Sequence, residues 1–558
     1  MGSFVLRGAR VIDGTGAPAT DATVVVTDGL IESVGDRAVD PNHPVIDLTG
    51  LVLAPGFIDP HTHYDAQVLW DADLTPSSWH GVTTVVTGNC GFGIAPTKPA
   101  DRDTVMRVLE NVEGMPFDAL AEGIAWTFET FPEYLDALDA LPLQLNVAPL
   151  LGHTPLRYFV MGADATEREA TADEVAAMRA LVGEALDAGA IGFSSSRSTS
   201  HVGAYGRPVP SRVATLAELD ELLEPLLERD AGFFEATWGP DFHVDEAAAV
   251  AKRIGRPVSW AAIMANKRQP GEAIRTAARV RAAGGRVHPQ IACRPIVVQI
   301  ALSDPASFAM AAAFTEALGL AREDRGTLYA DEAWRRRAES DLEGQFGRLL
   351  DGAVVTESKV HADLVGGPTL GELAARDGVA PIDIMVELSL AEGLETKFTV
   401  PMVNDDDDQI GQLLGDENLL LGLSDAGAHT SQLCDANYAT WLLSHWCREL
   451  GVLTLEQAVW RLTGHPAEVL GIVGRGRVAA GFHADLVAFD PARVGTGAAQ
   501  RVHDLPGGVD RLVAPSEGIV HTWVNGRPTW FDGSAVPGTA AGRLLRSGAT
   551  TERVGSPG

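Results

Sequence analysis

Eight short runs of apolar and β-branched residues, spread over residues 56–425, alternate with stretches rich in Ala, Leu and Glu. The stretches between several runs, such as residues 170–189, 215–230 and 244–255, have the composition of helices. Strands that alternate with helices form parallel sheets, and eight such units predict a (β/α)8 TIM-like barrel. An open doubly wound sheet lacks support, because no GxGxxG motif opens the first strand-helix turn. The eight runs are GFIDPHTH, VTTVVTGNC, LQLNVAPL, AIGFSSS, GFFEATW, PVSWAAI, GRVHPQIAC and NLLLGLSD.

The two ends of the chain have a different character. Residues 1–58 and 470–540 contain short strand-like runs separated by DG, TG, PG and NG turns, so we predict that both ends build one small β-sandwich domain. Residues 59–469 would form the barrel. Its longest insertion, residues 295–418, falls between the seventh and eighth strands, at the rim where insertions often cover an active site. Residues 541–558 are predicted to form a flexible tail.

Charge and hydropathy exclude several classes of partner. The chain carries 43 Lys and Arg against 75 Asp and Glu, a formal net charge of −32, so nucleic-acid binding and binding to an anionic membrane are not expected. No apolar run approaches the roughly 20 residues of a membrane-spanning helix. The first residues lack the pattern of a secretory signal peptide, and four cysteines are too few for a disulfide scaffold. These features favour a soluble cytoplasmic protein.

Two motifs at the ends of predicted strands carry the chemistry. His61 and His63 lie two residues apart at the end of the first strand, and alternate side chains of a strand share one face. Both imidazoles can therefore reach one divalent metal at the rim of a barrel. Asp425 ends the eighth strand in LLLGLSDAGAH, where a carboxylate can bind the metal and also take the proton of the attacking water. Taken alone, Asp425 could equally be a helix N-cap.

The motifs APGFIDPHTH, VTTVVTGNCGFGIAP and SDAGAH resemble those of the amidohydrolase superfamily, and more narrowly its D-aminoacylase (N-acyl-D-amino-acid deacylase) branch. Further similar stretches cover nearly the whole chain; they are VEGMP, TFPEYLDAL, NVAPLLGHTPLR, GAIGFSSS, LTGHPAEVLGI, GRGRVAAGFHADLVAFDP and VNGRPT. The resemblance implies a barrel metallohydrolase with a flanking β-sandwich, which hydrolyses amides through a metal-activated water. It also implies that Cys90, in TGNCG, replaces the bridging carboxylated lysine used elsewhere and serves as a thiolate ligand. The alternative for Cys90 is a buried apolar cysteine.

The chain departs from this branch at the fifth and sixth strands, where the D-aminoacylases have one histidine each. The corresponding stretches, FFEATWGP and RPVSWAAIMANK, contain none, and the nearest histidine is His243. His61, His63 and Asp425 would still supply the three protein ligands of a catalytic zinc, with Cys90 as a fourth. We therefore expect one zinc ion per chain, while a site rebuilt for another reaction and a site without metal remain alternatives.

Four other side chains near the predicted rim are candidates for substrate binding; they are His153, Arg197, His201 and His429. Arg197 directly follows the fourth strand and can clamp a carboxylate bidentately, or form a structural ion pair instead. His429 follows Asp425 by four residues and would share a face with it at a helix start. Each histidine has a core or surface role as its alternative. Glu235 either points into the barrel or pairs with a helix residue.

These residues predict a metal-dependent hydrolase of a C–N bond, acting on an N-acyl amino acid or a related small amide. Asp425 would act as general base and then as general acid. One alternative is a metal-dependent hydrolase of a cyclic amide, carbamate or lactone, or a deaminase. The other is a catalytically silent relative that binds a small ligand. The expected partner is a small-molecule substrate, and association into a homo-oligomer is left open.

Overall fold

The computed structural model describes residues 2–35, 40–305, 308, 311–346 and 348–547. Within these ranges, no helix is both long and apolar enough to cross a membrane. The strands are β1 Phe4–Arg7, β2 Arg10–Val11, β3 Thr20–Asp21, β4 Val24–Thr27, β5 Leu30–Val34, β6 Val45–Asp47, β7 Val52–Pro55, β8 Phe57–Asp59, β9 Val82–Thr87, β10 Asn146–Pro149, β11 Leu151–Gly152, β12 Gly192–Ser196, β13 Phe233–Thr237, β14 Val258–Ile263, β15 Val287–Ile291, β16 Ile296–Ala301, β17 Val354–Glu357, β18 Lys397–Val403, β19 Leu420–Leu421, β20 Leu486–Phe489, β21 Gly495–Thr496, β22 Gln500–Val502, β23 Arg511–Val513, β24 Ser516–Glu517, β25 Ile519–Val524, β26 Arg527–Phe531 and β27 Ser534–Ala535.

The helices lie mostly between the strands of the central region and in the insertion before β19. They are α1 Arg102–Glu113, α2 Phe117–Gly123, α3 Phe131–Asp139, α4 His153–Met161, α5 Ala172–Ala188, α6 Pro210–Val213, α7 Leu216–Arg229, α8 Val244–Ile254, α9 Glu272–Ala283, α10 Ala312–Leu318, α11 Arg322–Ala330, α12 Glu332–Phe346, α13 Leu370–Asp377, α14 Pro381–Ala391, α15 Asp407–Leu414, α16 Tyr438–Trp441, α17 Leu455–Leu462 and α18 Gly464–Leu470. A π-helix over Leu442–Glu449 continues α16.

All eight runs assigned to the barrel contain a strand; the third contains β10, and the short strand β11 follows directly after it. Neighbouring strands pair in parallel, in the orders β8–β9–β10 and β11–β12–β13–β14–β15–β19. Just beyond the ends of β8 and β19, Thr62 forms a parallel bridge with Ala426. The segments that follow the first and the last of these strands therefore lie side by side.

Local sequence explains the helices that flank these strands. In α7, Leu219, Leu222 and Leu226 recur at the spacing of one helix face, and all three are buried in the main apolar cluster. The helix begins at Thr215, whose side chain accepts a hydrogen bond from the main-chain amide of Glu218. The parallel strands are thus covered by helices whose apolar faces share one core with them.

Strands from both chain ends meet in one sheet, in the order β27–β26–β25–β20–β7–β2–β3. In this sheet β20 pairs antiparallel with β7, with Val487 opposite Ala54. A second sheet, β5–β4–β1–β6, contributes Leu6 and Val24 to a buried apolar cluster that also contains Trp523 from the C-terminal half. The expected joining of the two ends is present, while their status as a sandwich domain stays a prediction.

The insertion between β15 and β19 has a core of its own. Its antiparallel sheet, in the order β16–β18–β17, packs with helices α10–α14 around a buried cluster that includes Phe314, Trp334 and Phe398. The predicted boundaries of this insertion, residues 295–418, therefore enclose a separately packed unit. Its expected role as a cover of the active site stays a prediction.

Residues 541–547, the start of the segment predicted to be a flexible tail, pair with β10. The main-chain amide of Val147 donates to Arg543, and the amide of Leu545 donates back to Val147. A parallel bridge joins Leu544 to Val147 in β10. This segment is ordered because it satisfies main-chain groups of β10 and buries Leu544, which the polar composition around it does not reveal. Residues 548–558 lie outside the described residues.

Candidate active site

Main-chain hydrogen bonds bring the two chemical motifs together. The amide of Asp425 donates to the carbonyl of His61 over 3.2 Å, and the amide of His63 donates to the carbonyl of Ala426 over 2.7 Å. The hydroxyl of Thr62, between the two histidines, donates to the carbonyl of Val86 in β9. The extended segment after β8 is therefore held between its two neighbours. His61 and His63 lie together, with ring centroids 5.3 Å apart.

Three pairs among the four predicted metal ligands lie at the spacing of donors on one metal ion. The Oδ1 atom of Asp425 is 3.4 Å from Nε2 of His61 and 3.2 Å from Nε2 of His63. The Sγ atom of Cys90 is also 3.4 Å from Nε2 of His61. Donor atoms that bind one tetrahedral zinc at its usual bond lengths lie about 3.3–3.6 Å apart. The three spacings in this ligand cluster (His61, His63, Cys90 and Asp425) therefore fit donors of a metal ion, although no three-donor group of the described residues contains both Cys90 and Asp425.

Hydrogen bonding prepares the imidazoles to act as ligands. The Nδ1 atom of His61 lies 2.6 Å from Oε1 of Gln290, an oxygen that can only accept. His61 must therefore carry its proton on Nδ1, which leaves the lone pair of Nε2 directed at the cluster. Nε2 of His63 is buried and has no hydrogen-bond partner, although two carboxylates are near. A buried, unpaired nitrogen among anionic donors fits the requirements of a metal ligand.

The site gathers acidic groups whose ionisation is mostly unfavourable. Burial, reinforced by the charge of Asp425, raises the pKa of Glu113 well above its usual range, and burial raises the pKa of Glu235 to about 7. Burial also raises the pKa of the Cys90 thiol, and nearby carboxylates add to the shift. Burial opposes ionisation of Asp425 as well, but its contacts with His61 and His63 hold its pKa well below the usual value. A bound cation would favour the ionised forms of these acids.

Accessibility differs among the ligands. The side chains of His61 and His63 are at most 1% exposed, whereas that of Asp425 is 30% exposed. A small molecule from solvent can therefore reach the carboxylate without reaching the faces of the imidazoles. Asp425 is thus the member of the ligand cluster that is best placed to touch both the ion and a substrate.

The backbone around the cluster is strained. Cys90, Asp425 and His429 all have left-handed backbone conformations, with φ of 56°, 53° and 50°. Such a conformation costs a residue other than glycine about 1 kcal/mol or more, and residues of this kind collect at functional sites. Three of them around one cluster indicate a backbone arranged to present these side chains.

Sequence reasoning missed two side chains and left a third open. Glu113, the last residue of α1, places Oε2 3.4 Å from Nε2 of His63, and Gln290 orients His61 as described above. Glu235 points inward, because its Oε2 accepts the main-chain amide of Cys90 over 2.8 Å while Oε1 is buried without a partner. Glu113 stands in the VEGMP stretch, so a motif marked it, but no local pattern marks Gln290.

Two of the proposed substrate-binding residues are occupied by partners within the chain. The ring nitrogens of His153 contact the hydroxyl of Ser195 over 2.9 Å and the carboxylate of Glu218 over 3.0 Å. The guanidinium of Arg197 is bonded to Asp241 and donates to two main-chain carbonyls over 2.7 Å each. The structure therefore places both residues in internal networks and not in the ligand cluster.

The other two lie beside the cluster. His201 contacts the hydroxyl of Ser196 over 2.8 Å, and burial, with a smaller contribution from His63, lowers the pKa of His201 to about 3. Burial also lowers the pKa of His429, whose main-chain amide donates to the carbonyl of Glu113 over 2.5 Å. Both imidazoles are therefore neutral near pH 7 and can donate or accept a hydrogen bond.

Two tryptophans stand in the stretches of the fifth and sixth strands where the family resemblance implies histidines: Trp238 directly follows β13, and Trp260 is the third residue of β14. Trp238 is half exposed, and Trp260 is fully buried. The ring of His243 lies between them, with centroid distances of 5.6 Å and 4.9 Å. Among the described residues, His243 belongs to no three-donor cluster that could hold a metal.

Comparison with known proteins places this site in a family. The family model described as Amidohydrolase family matches residues 44–268 and 336–530. The chain belongs to this family. It is 32% identical to D-aminoacylase of Alcaligenes xylosoxydans xylosoxydans, over 97% of both chains. It is also 32% identical to N-acyl-D-aspartate deacylase of the same organism, over 98% of this chain and 95% of the relative.

Solved structures agree with these relatives. A crystal structure of D-aminoacylase is 30% identical, with a TM-score of 0.67 over 97% of this chain and 99% of that one. N-acyl-D-glutamate deacylase from Bordetella bronchiseptica, complexed with zinc and a phosphonate mimic of the tetrahedral intermediate, has a TM-score of 0.65 at 28% identity, over 97% and 99% of the two chains. The prediction of a D-aminoacylase-like amidohydrolase is thus confirmed, and the chain has the amidohydrolase fold of mixed α/β content.

Proposed function

We propose that this protein is a metal-dependent deacylase that hydrolyses the amide bond of an N-acyl-D-amino acid or a related small amide. The relatives named above support this substrate class, since they include a D-aminoacylase and deacylases of N-acyl-D-aspartate and N-acyl-D-glutamate. The single observation that carries the proposal is the donor cluster around Asp425, which is buried on the side of the imidazoles and open on the side of the carboxylate.

The proposed fold places this cluster at the mouth of a barrel. The eight parallel strands would close through the contact between Thr62 and Ala426, and both chain ends would form a β-sandwich domain next to the barrel. Active sites of such barrels lie at the ends where the strands finish. His61, Cys90 and Asp425 follow β8, β9 and β19, so all three are at that end.

One zinc ion per chain is the proposed cofactor, held by His61, His63, Asp425 and Cys90. Imidazole nitrogens with a carboxylate and a thiolate in a four-donor set suit zinc. When bound, the ion would polarise the substrate carbonyl and lower the pKa of water. A neutral imidazole offers one lone-pair nitrogen, so His63 can serve one ion only.

The remaining steps fall to side chains of this protein. The low pKa of Asp425 keeps it ionised at neutral pH, so its exposed carboxylate can accept a proton from the attacking water. The same carboxylate then delivers the proton to the leaving nitrogen. Gln290 keeps His61 in the tautomer that the site requires. His201 and His429, both neutral, are the proposed donors to the carbonyl oxygen as negative charge develops there.

The D425N variant tests this assignment. Amino acid release is measured from a panel of N-acyl-D-amino acids, their L-enantiomers and cyclic amides, with purified wild-type and variant enzymes. Because the variant loses both a ligand oxygen and the proton acceptor, we expect turnover to fall by about 100-fold or more. The matched control is Asp408→Asn, which makes the same change at an exposed residue in the first turn of α15 and is expected to be neutral. Near-normal activity of D425N would refute the assignment.

Trp238, after the fifth strand, favours one second candidate, hydrolysis of a bulky or cyclic amide. Its ring is half exposed, whereas Trp260 is buried on the face of β14 opposite Ser259, which contacts Gln290. The cyclic members of the panel distinguish the two candidates by their kcat/KM. Absence of turnover on every member by metal-loaded enzyme would favour the ligand-binding alternative. A cytoplasmic location and a homo-oligomer stay predictions.

A further inference from the structure

We propose that Glu113 is an additional ligand of the metal ion and takes the place of the imidazoles that the fifth and sixth strands lack. This inference rests on the metal site proposed above. It concerns a residue on a helix, α1, and not at the end of a barrel strand. The metal would thus be held partly from an element outside the parallel sheet.

Geometry supports a direct role of Glu113. Its Oε2 lies 3.4 Å from Nε2 of His63, the same spacing as between the other donor pairs. Glu113, His63 and Asp425 offer three donor atoms that all lie within 4.8 Å of one another. The side chain of Glu113 is 4% exposed, so water does little to solvate its carboxylate. A buried carboxylate at this distance is stabilised more by a cation than by the neutral ring of His63 alone.

The two donor clusters of the site share His63. One contains His61, His63 and Cys90, and the other contains His63, Glu113 and Asp425. Because a neutral imidazole binds through one lone-pair nitrogen, the shared ring cannot ligate a separate ion for each cluster. Asp425 also contacts both imidazoles through the same Oδ1 atom. The arrangement that the second cluster supports is one ion that binds His63, with Glu113 and Asp425 among its donors.

The position of Glu113 is fixed by its neighbours. Its main-chain carbonyl accepts the amide of His429 over 2.5 Å. Gly114 ends the helix with φ of 58°, and a Cβ atom at this residue would lie 2.8 Å from Nδ1 of His429. The helix end is therefore clamped to the loop after β19, which also carries Asp425. This close approach holds the carboxylate beside His63.

Glu235 is the obvious competitor, because it stands on the fifth strand itself. Its Oε2 already accepts the main-chain amide of Cys90 over 2.8 Å. Neither three-donor cluster of the described residues includes it. Trp238 directly follows the fifth strand and contacts the ring of His243, and neither stretch contains a histidine in the strand itself. Glu113 is therefore the carboxylate that completes the donor set.

Metal binding to the Glu113→Gln variant tests the inference. The metal-free full-length protein is titrated with Zn²⁺ in competition with a chromophoric chelator, and Co²⁺ spectra report the ligand geometry. We expect the zinc Kd of E113Q to rise by more than about tenfold, because even the loss of a residue that only supports a ligand costs about that much. We also expect the cobalt d–d bands to shift. Glu110→Gln, the same change at a partly exposed residue one turn earlier in α1, should leave both quantities unchanged.

Melting of the metal-free proteins separates ligand loss from misfolding. A neutral amide is less costly to bury than an unpaired carboxylate, so metal-free E113Q should melt at or above the wild-type temperature. Added zinc should then raise its Tm less than that of the wild type. If E113Q does not fold, Glu113→Asp replaces it. Because the shorter side chain keeps the carboxylate but shifts it, a weaker zinc affinity is again expected for the aspartate variant.

The outcomes for the inference and for the proposed function are distinct. Wild-type zinc affinity and an unchanged cobalt spectrum in E113Q, or in E113D if it is used, would overturn the role of Glu113 and leave the metal site intact. Failure of the wild type itself to bind Zn²⁺ or Co²⁺ would overturn both. A raised Kd with shifted d–d bands in the variant, beside normal E110Q, supports the inference.

Discussion

The hydrogen bond between Gln290 and His61 sets the expected effect of replacing Gln290 on zinc affinity. Its Oε1 atom lies 2.6 Å from Nδ1 of His61, and both side chains are fully buried. The change Gln290→Met keeps a side chain of similar length and removes the acceptor. His61 can then ligate through Nε2 only if its Nδ1 proton is left buried without a partner. The variant should therefore bind zinc more weakly while folding normally.

The magnitude comes from the cost of that unpaired donor. A buried donor that loses its partner costs about 1–3 kcal/mol. At about 1.4 kcal/mol for each factor of ten, this corresponds to a loss of roughly 5- to 150-fold in zinc affinity. The metal-free protein escapes most of the cost, because His61 can move its proton to Nε2. The penalty therefore appears in the metal Kd and not in the free energy of unfolding.

Zinc titration against a competing chelator measures this Kd, and denaturant unfolding of the metal-free protein checks the fold. The matched control is Ser259→Ala. The hydroxyl of Ser259 accepts a hydrogen bond from Nε2 of Gln290 over 3.2 Å, so its loss disturbs the other end of the same amide. We expect S259A to change the zinc Kd by less than about threefold, because the contact between Gln290 and His61 survives.

Two results would refute the reasoning. One is a zinc Kd for Q290M within about threefold of the wild type, which means that Gln290 does not set the tautomer of His61. The other is an equal loss in S259A and Q290M, which assigns the effect to packing around the amide. Loss of zinc affinity in Q290M alone supports the proposed ligand role of His61.

Two further substitutions test the core and the thiolate. Replacing Arg157 by Met leaves Glu218 buried with His153 alone, and should cost about 3–5 kcal/mol of stability near pH 7. Burial opposes ionisation of Glu218, but His153 and Arg157 lower its pKa below the ordinary value of 4.5. The stability that this pairing contributes is therefore present above pH 4.5 and is lost as the pH falls through the lowered pKa of the folded protein. The gap in Tm between wild type and R157M should therefore narrow in acid; a constant gap contradicts the pairing. Cys90→Ser should abolish the thiolate-to-metal charge-transfer band of the cobalt protein while preserving its fold, and an unchanged spectrum would make Cys90 a buried apolar residue only.

The strands and the ligand motifs were accessible to sequence reasoning because both depend on local patterns. Apolar runs of strand length alternate with helical stretches, and each of the eight runs contains a strand. Residues that follow parallel strands meet at one edge of the sheet, so His61, Cys90 and Asp425 could be grouped although 364 positions separate the first from the last (425 − 61). The pairing of Leu544 with Val147 has no such local pattern, since it depends on main-chain groups of a strand elsewhere in the fold.

Residues that act by orienting another side chain have no comparable local pattern in the sequence. Gln290 sits in a strand with no local feature that identifies its partner, and that partner lies 229 positions away. Arg197 shows the converse, because an arginine after a barrel strand suggests an anion clamp, whereas Asp241 and two carbonyls occupy it in the structure. Which groups a polar side chain reaches is decided by tertiary packing, and spacing along the chain carries no information about it.

Glu113 shows how this limit affects the interpretation of a site. Counting ligands at the ends of the strands gives a centre without the two imidazoles of the fifth and sixth strands, which leaves three or four ligands and one expected zinc ion. The structure brings a carboxylate to His63 from the end of a helix, where no strand-based pattern looks for a ligand. The charge of a metal centre depends on every donor within reach and not on the elements that carry them. A chain that lacks family ligands at their usual positions can therefore keep the chemistry, provided that another buried anion reaches the same ion.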